Sequence, residues 1–132
     1  TGQLTMIGGG DRLDHTFAAL GALGHPALTS IPVIDAWWSD QHVDVLHGPG
    51  QTTLLLAPDS IVSLLALHGE CTGVTITGVR WQLDDVTLAP VVGWGVSNEV
   101  AAGGTVSIRL STGVLTVFDV PASTILSKPS PN

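Results

Sequence analysis

The sequence predicts an α+β chain that is mostly β: the strand–helix–hairpin remnant of an α/β domain, followed by an antiparallel β-sandwich. Three observations carry this. Helical periodicity occurs near the N-terminus, where Leu13, Phe17, Leu20 and Leu23 or Ala22 recur at three- and four-residue spacing. From Gln51 onward, short β-rich runs follow one another between turn residues. Gly48-Pro49-Gly50 separates the two patterns and is the clearest boundary signal. The predicted parts are residues 1–50, residues 51–122 and a frayed tail over 123–132.

Taken in order, residues 3–8 read as a short buried strand ended by glycine. Leu4-Thr5-Met6-Ile7 resembles an interior parallel strand, which needs neighbours, so a larger fold is expected of which the beginning is missing. A helix follows over about 12–23, with Asp11 as its cap and Asp14 near its first turn. Gly24-His25-Pro26 ends it, glycine closing the last turn and proline preventing continuation. Residues 32–38 and 43–46 make the two arms of a hairpin around Ser39-Asp40-Gln41.

The later β runs are 52–57, 61–67, 74–77 continuing to 83, 86–88, 91–96, 105–110 and 114–120. Thr75-Ile76-Thr77 and Val106-Ser107-Ile108-Arg109-Leu110 alternate polar with apolar, as half-buried strands do. Ser111-Thr112-Gly113 is expected to close a tight hairpin between the last two runs.

Composition removes several function classes. Hydrophobic residues make up 44% of the 132 residues and charged ones 11%, enough for a core and against disorder. Four basic residues face eleven acids, a net charge of -7, which excludes a phosphate-tracking nucleic-acid surface. No apolar run approaches the ~20 residues of a membrane helix, so no membrane partner is expected. Cys71 is alone, which rules out an internal disulfide and a cysteine-rich metal centre and suits a reducing cytoplasm. The five histidines, His15, His25, His42, His47 and His68, show no zinc-binding spacing; His42 and His47 read as strand-end residues.

Chemistry is expected at two places. Gly8-Gly9-Gly10 precedes a helix, where free backbone N–H groups and a positive dipole end favour an anion; Gly9 and Gly10 permit close approach. Arg12 beside them can fork onto phosphate oxygens, and Asp14 can hold a phosphate-bound Mg²⁺. In the plain structural alternative, Asp11 and Asp14 cap the helix and Arg12 is their solvated partner. The second place is Gly93-Trp94-Gly95-Val96-Ser97-Asn98-Glu99. Its hydroxyl, amide and carboxylate can orient a polar heterocycle, and Trp94 can stack on one. Its alternative is a loop whose polar side chains satisfy only turn backbone.

Together these segments resemble the thiamine pyrophosphokinase family. Gly8-Gly9-Gly10-Asp11-Arg12-Leu13-Asp14-His15 is similar to that family's GGRxDH element, and Thr16-Phe17-Ala18-Ala19-Leu20 to the helix continuing it. Val33-Ile34-Asp35 through Leu46-His47-Gly48-Pro49-Gly50 resembles its DE-N-I-L-PG hairpin, and the stretch from Ser60 to Leu67 its YISLLPL run. Gly73-Val74-Thr75-Ile76-Thr77-Gly78-Val79-Arg80-Trp81-Gln82-Leu83 resembles GVTLxGLKYPL, and Gly95-Val96-Ser97-Asn98-Glu99 matches GISNE. Order and spacing hold over nearly the whole chain.

The resemblance implies a homodimeric enzyme that moves pyrophosphate from ATP to thiamine with Mg²⁺, releasing AMP, at a site shared between subunits. It implies Arg12, Asp14 and His15 as catalytic, with Gly9, Gly10 and Arg12 on phosphate and Asp14 at the metal. It assigns Ser97, Asn98, Glu99 and Trp94 to the thiamine side. Two departures qualify it. Ala19 replaces an asparagine usual in the family, and the acidic DGDxDS element is missing. The chain therefore resembles the C-terminal portion of such an enzyme and is expected to be inactive alone. The alternatives are a non-catalytic thiamine-binding or dimerisation module, or another nucleotide-using transferase on the same scaffold.

Overall fold

The computed structural model describes residues 2–8, 12–90 and 97–121. The chain runs β1 (Gln3–Gly8), α1 (Leu13–Leu23), a 3-10 turn (Pro26–Leu28), β2 (Val33–Trp38), β3 (Gln41–His47) and β4 (Gly50–Leu55). It continues through β5 (Ile61–Leu65), β6 (Cys71–Thr77), β7 (Leu83–Leu88), β8 (Asn98–Glu99), β9 (Thr105–Leu110) and β10 (Val114–Val120). The expected mostly-β α+β class is the one found.

Two sheets form. The larger has the order β1-β2-β3-β10-β5-β8, the smaller β4-β9-β6-β7. β1 and β2 are parallel, Gln3 opposite Val33 through Gly8 opposite Trp38, with α1 between them in the chain. β2 and β3 are the expected hairpin, turning at Ser39, which takes a positive φ of 57°.

Period-two alternation sorts the side chains into two cores. Ile34, Ala36, Val43 and Val45 meet Leu20 and Leu23 of α1 on one face of the larger sheet. Leu46, Val62, Leu64, Leu115 and Val117 meet Val74, Ile76, Val106 and Ile108 of the smaller sheet on the other. Each fully buried aliphatic side chain contributes about 1.5–3 kcal/mol, so the inter-sheet core dominates the hydrophobic stabilisation.

Four expectations change. Ser111-Thr112-Gly113 is not a hairpin, because β9 and β10 belong to different sheets. It is a corner: Gly113 takes φ 103°, and a Cβ there would collide with the Glu70 carbonyl. The chain also changes sheets between β3 and β4, and the two crossings touch where Gly48 N–H donates to the Gly113 carbonyl at 2.9 Å.

The run from 74 does not continue to 83. Gly78, at φ 83°, ends β6, and its backbone sits against the Thr105 carbonyl. β1 is not buried: it lies at the sheet edge, with Ile7 84% exposed. Leu13 and Phe17 of α1 are likewise exposed, since the helix meets the sheet only through its second half. The run expected at 91–96, the cap Asp11 and the tail 123–132 lie outside the described residues.

Candidate functional site

Arg12 is the residue before α1. Its backbone is extended, and its side chain gives the helix no cap. The guanidinium instead turns onto Asp14, Nε donating to Oδ1 at 3.0 Å and Nη2 to Oδ2 at 2.7 Å. This fork holds the Asp14 carboxyl below the usual carboxylate range. Both side chains are about two-thirds exposed, at 65% and 64%, so the pair is solvent-screened and free to exchange partners.

His15 borders a shallow hollow of about 200 Å³ with Gly8, Thr16, Ala19 and Trp38. The Trp38 ring packs so closely on Gly8 that a Cβ there would strike it, which explains a glycine at the end of β1. Gly9 and Gly10 lie outside the described residues. Asp14 has both oxygens on Arg12, and among the described residues no group of three metal-ligating side chains includes it.

The second cluster is tightly built. Ser97 sits at φ 62°, and its N–H donates to Ser63 Oγ at 2.8 Å. Asn98, 7% exposed, grips the backbone of Trp81: Nδ2 donates to the carbonyl at 2.7 Å, and Oδ1 accepts from the N–H at 3.0 Å. The Glu99 carbonyl accepts from Arg80 N–H at 2.9 Å, while its carboxylate lies 3.4 Å from the Arg80 guanidinium.

That guanidinium stands over the Trp81 ring, 4.7 Å from its centre, and Trp81 remains 53% exposed. An indole with one face on a cation and half its surface free is a platform for a flat, polar ring. Trp94 lies outside the described residues. Sequence reasoning selected Trp94 and passed over Trp81, although an Arg-Trp pair just beyond a β run was the available signal.

The fold does not bring the two clusters together within one chain. Arg12 and Asp14 follow β1, and Ser97-Asn98-Glu99 carries β8; these are the opposite edges of the six-stranded sheet. Five strand spacings separate them, roughly 24 Å.

A third polar group was missed. His42 Nε2 meets Asp35 Oδ2 at 2.9 Å, and Nδ1 meets Asp119 Oδ2 at 3.1 Å and Asp44 Oδ2 at 3.4 Å. Burial disfavours the imidazolium, but the three carboxylates outweigh it and raise the His42 pKa. Burial pushes Asp44 up to about 6 against the attraction of His42. The sequence signal was His42 and Asp44 two positions apart in β3, with a single aspartate inside each of the otherwise uncharged strands β2 and β10. Elsewhere, Cys71 is buried, its Sγ donating to the Val114 carbonyl at 3.2 Å, and burial raises its pKa. No helix of the described residues is long and apolar enough to cross a membrane.

The fold has solved counterparts. A thiamine pyrophosphokinase from Bacillus subtilis is 16% identical with a TM-score of 0.77, covering 90% of this chain and 55% of its own. A protein from Lactobacillus plantarum is 24% identical with a TM-score of 0.70, covering 89% and 57%. Thiamin pyrophosphokinase from Candida albicans is 11% identical with a TM-score of 0.71, covering 89% and 44%. At these identities the likeness is one of fold, and the chain spans about half the length of the structures it matches. No curated protein matches it in sequence. The family model for "Thiamin pyrophosphokinase, vitamin B1 binding domain" matches residues 52–115, from β4 into β10, a stretch that includes Trp81 and Asn98. Over residues 52–115, then, the chain carries a domain of the thiamin pyrophosphokinase vitamin B1 binding type.

Proposed function

We propose that this chain is the thiamine-binding half of a thiamine pyrophosphokinase-like protein, which transfers pyrophosphate from ATP to thiamine. The observation carrying this reading is the vitamin B1 binding domain match over 52–115. The half-exposed Trp81, held by Asn98 and backed by Arg80, gives that region a surface suited to an aromatic heterocycle. The thiamine rings lie on Trp81, with Ser97 and Glu99 at their edge; Trp94 is assigned to the same ligand. Asn98 acts through Trp81, since its amide is already engaged.

In the transfer, the thiamine hydroxyl oxygen bonds to the β-phosphorus of ATP and releases its proton to solvent, the bond from that phosphorus to the α–β bridging oxygen breaks, and AMP leaves with that oxygen. Arg12 exchanges Asp14 for phosphate oxygens, and Gly9, Gly10 and His15 are assigned to the same phosphate side. The Mg²⁺ that accompanies ATP needs ligands beyond Asp14. A homodimer is part of the proposal, because a pocket using both sheet edges requires two copies. A reducing, cytoplasmic setting suits the lone thiol of Cys71.

A second reading, a non-catalytic thiamine-binding or dimerisation module, is favoured by Asp14 being closed on Arg12, with no group of three metal-ligating side chains around it among the described residues. The isolated chain is expected to bind thiamine and to form no AMP. Calorimetry with thiamine, and AMP detection with thiamine, ATP and Mg²⁺ against a protein-free control, test both points. Thiamine binding lost in the Ser97→Ala, Asn98→Ala double variant supports the inherited pocket. A folded dimer that ignores thiamine sinks it in favour of the dimerisation module, and AMP above the control overturns the expected inactivity.

A further inference from the structure

On the sandwich side of the six-stranded sheet, Asp35 of β2, His42 and Asp44 of β3 and Asp119 of β10 converge. Register puts them there: Asp35 faces Asp44 across one strand pair, and His42 faces Asp119 across the next. Three carboxylates meet one imidazole, and their side chains are only 10–13% exposed. Even an imidazolium leaves an excess of negative charge, which is costly to bury without a cation. One oxygen records this independently. Asp44 is 8% exposed, and its Oδ2, enclosed and aimed at His42, has no hydrogen-bond partner.

We propose that Asp35, His42 and Asp44 bind a divalent cation of the zinc–manganese class. One ligand atom from each lies within 4.8 Å of the others. Small side-chain shifts close that span to bonds of about 2.0–2.2 Å. An imidazole nitrogen among carboxylates selects these metals over calcium or magnesium, which take oxygen ligands.

The cation replaces one His42 N–H proton, which leaves to solvent. One ring nitrogen is the ligand; the other keeps its proton for the carboxylate beside it, Asp35 on the Nε2 side or Asp119 on the Nδ1 side, an arrangement that fixes the ring. Asp44 Oδ2 gains the partner it lacks. Thr5 Oγ1 donates to Asp35 Oδ1 at 2.6 Å, so the ion links β1, β2, β3 and β10 through one centre.

Equilibrium dialysis of the chain against zinc chloride or manganese chloride at neutral pH is expected to give one bound ion. His42→Gln and Asp44→Asn are each expected to weaken binding at least about tenfold. His25→Gln, on an exposed histidine outside the cluster, leaves it unchanged. If the cluster variants do not fold, manganese added to the wild-type chain decides the matter by paramagnetic broadening in its amide spectrum. Broadening centred on residues 35, 42 and 44 supports the site. Broadening centred elsewhere, absence of a bound ion, or Asp44→Asn binding like wild type overturns it.

Discussion

Asn98 and Trp81 are locked together by a two-point clamp, the side-chain amide of one closing on the backbone N–H and carbonyl of the other at 3.0 and 2.7 Å. The clamp joins β8 to the segment between β6 and β7, so a buried polar residue sets where an exposed indole stands. Asn98→Asp places a carboxylate oxygen against the Trp81 carbonyl and removes a donor. We expect a loss of about 1–3 kcal/mol in urea unfolding at neutral pH, together with weaker thiamine binding. A variant with the wild-type midpoint would show that the clamp contributes nothing.

Trp81 itself should behave in the opposite way. It is 53% exposed, so Trp81→Ala is expected to change stability by no more than about 0.5 kcal/mol. Its aromatic face is worth about 0.5–1.5 kcal/mol to a stacked ring, so thiamine affinity should fall about twofold to twelvefold. Trp81→Phe should recover part of the loss. Calorimetric titration checks this, and equal affinity in Trp81→Ala would remove the indole from the pocket.

The fold was legible where local pattern and tertiary environment agree. The alternation of Val106, Ile108 and Leu110 with polar neighbours placed β9 correctly because one of its faces lies in the inter-sheet core. Ser111-Thr112-Gly113 was misread because turn residues announce a change of direction without saying which sheet the next strand joins. Leu13 and Phe17 show the same limit: their periodicity is helical, but only Leu20 and Leu23 reach the sheet. At the site, Asn98 could be found by its neighbours in the chain. Trp81, seventeen positions away, was joined to Asn98 only when β8 and the segment after β6 met. The grouping of Asp35, His42, Asp44 and Asp119 likewise depends on a strand register that no local stretch encodes.

Two glycines should respond to alanine with opposite signs. Gly78 is held at φ 83°, and a Cβ there would land on the Thr105 carbonyl, whose backbone cannot move aside cheaply. Gly78→Ala is therefore expected to cost about 3 kcal/mol or more, combining backbone strain with overpacking. Gly21 lies within α1 with nothing near its absent Cβ. Gly21→Ala should stabilise by about 0.5–1 kcal/mol through helix propensity. Thermal and urea unfolding of the two variants check both signs, and a tolerated alanine at 78 would disprove the close approach of β6 to the start of β9.

His68 provides the pH dependence. Its ring lies against Gly24, and its pKa is below the usual imidazole value, through burial first and the nearby His47 second, against a backbone hydrogen bond at Leu20. A lowered folded pKa means that protonation favours the unfolded chain, where the group titrates near ~6.5. Above that pH both states are neutral and the contribution is whole. As the pH falls through ~6.5 toward the folded value, the unfolded chain takes up the proton first and stability is lost. The stability of wild type relative to His68→Gln should therefore decline on acidification through this window. In histidine ring spectra His68 should titrate below the usual value, and His47→Gln should raise it only part of the way, because burial is the larger cause. Titration of His68 at or above ~6.5 would remove both the burial and the repulsion from this account.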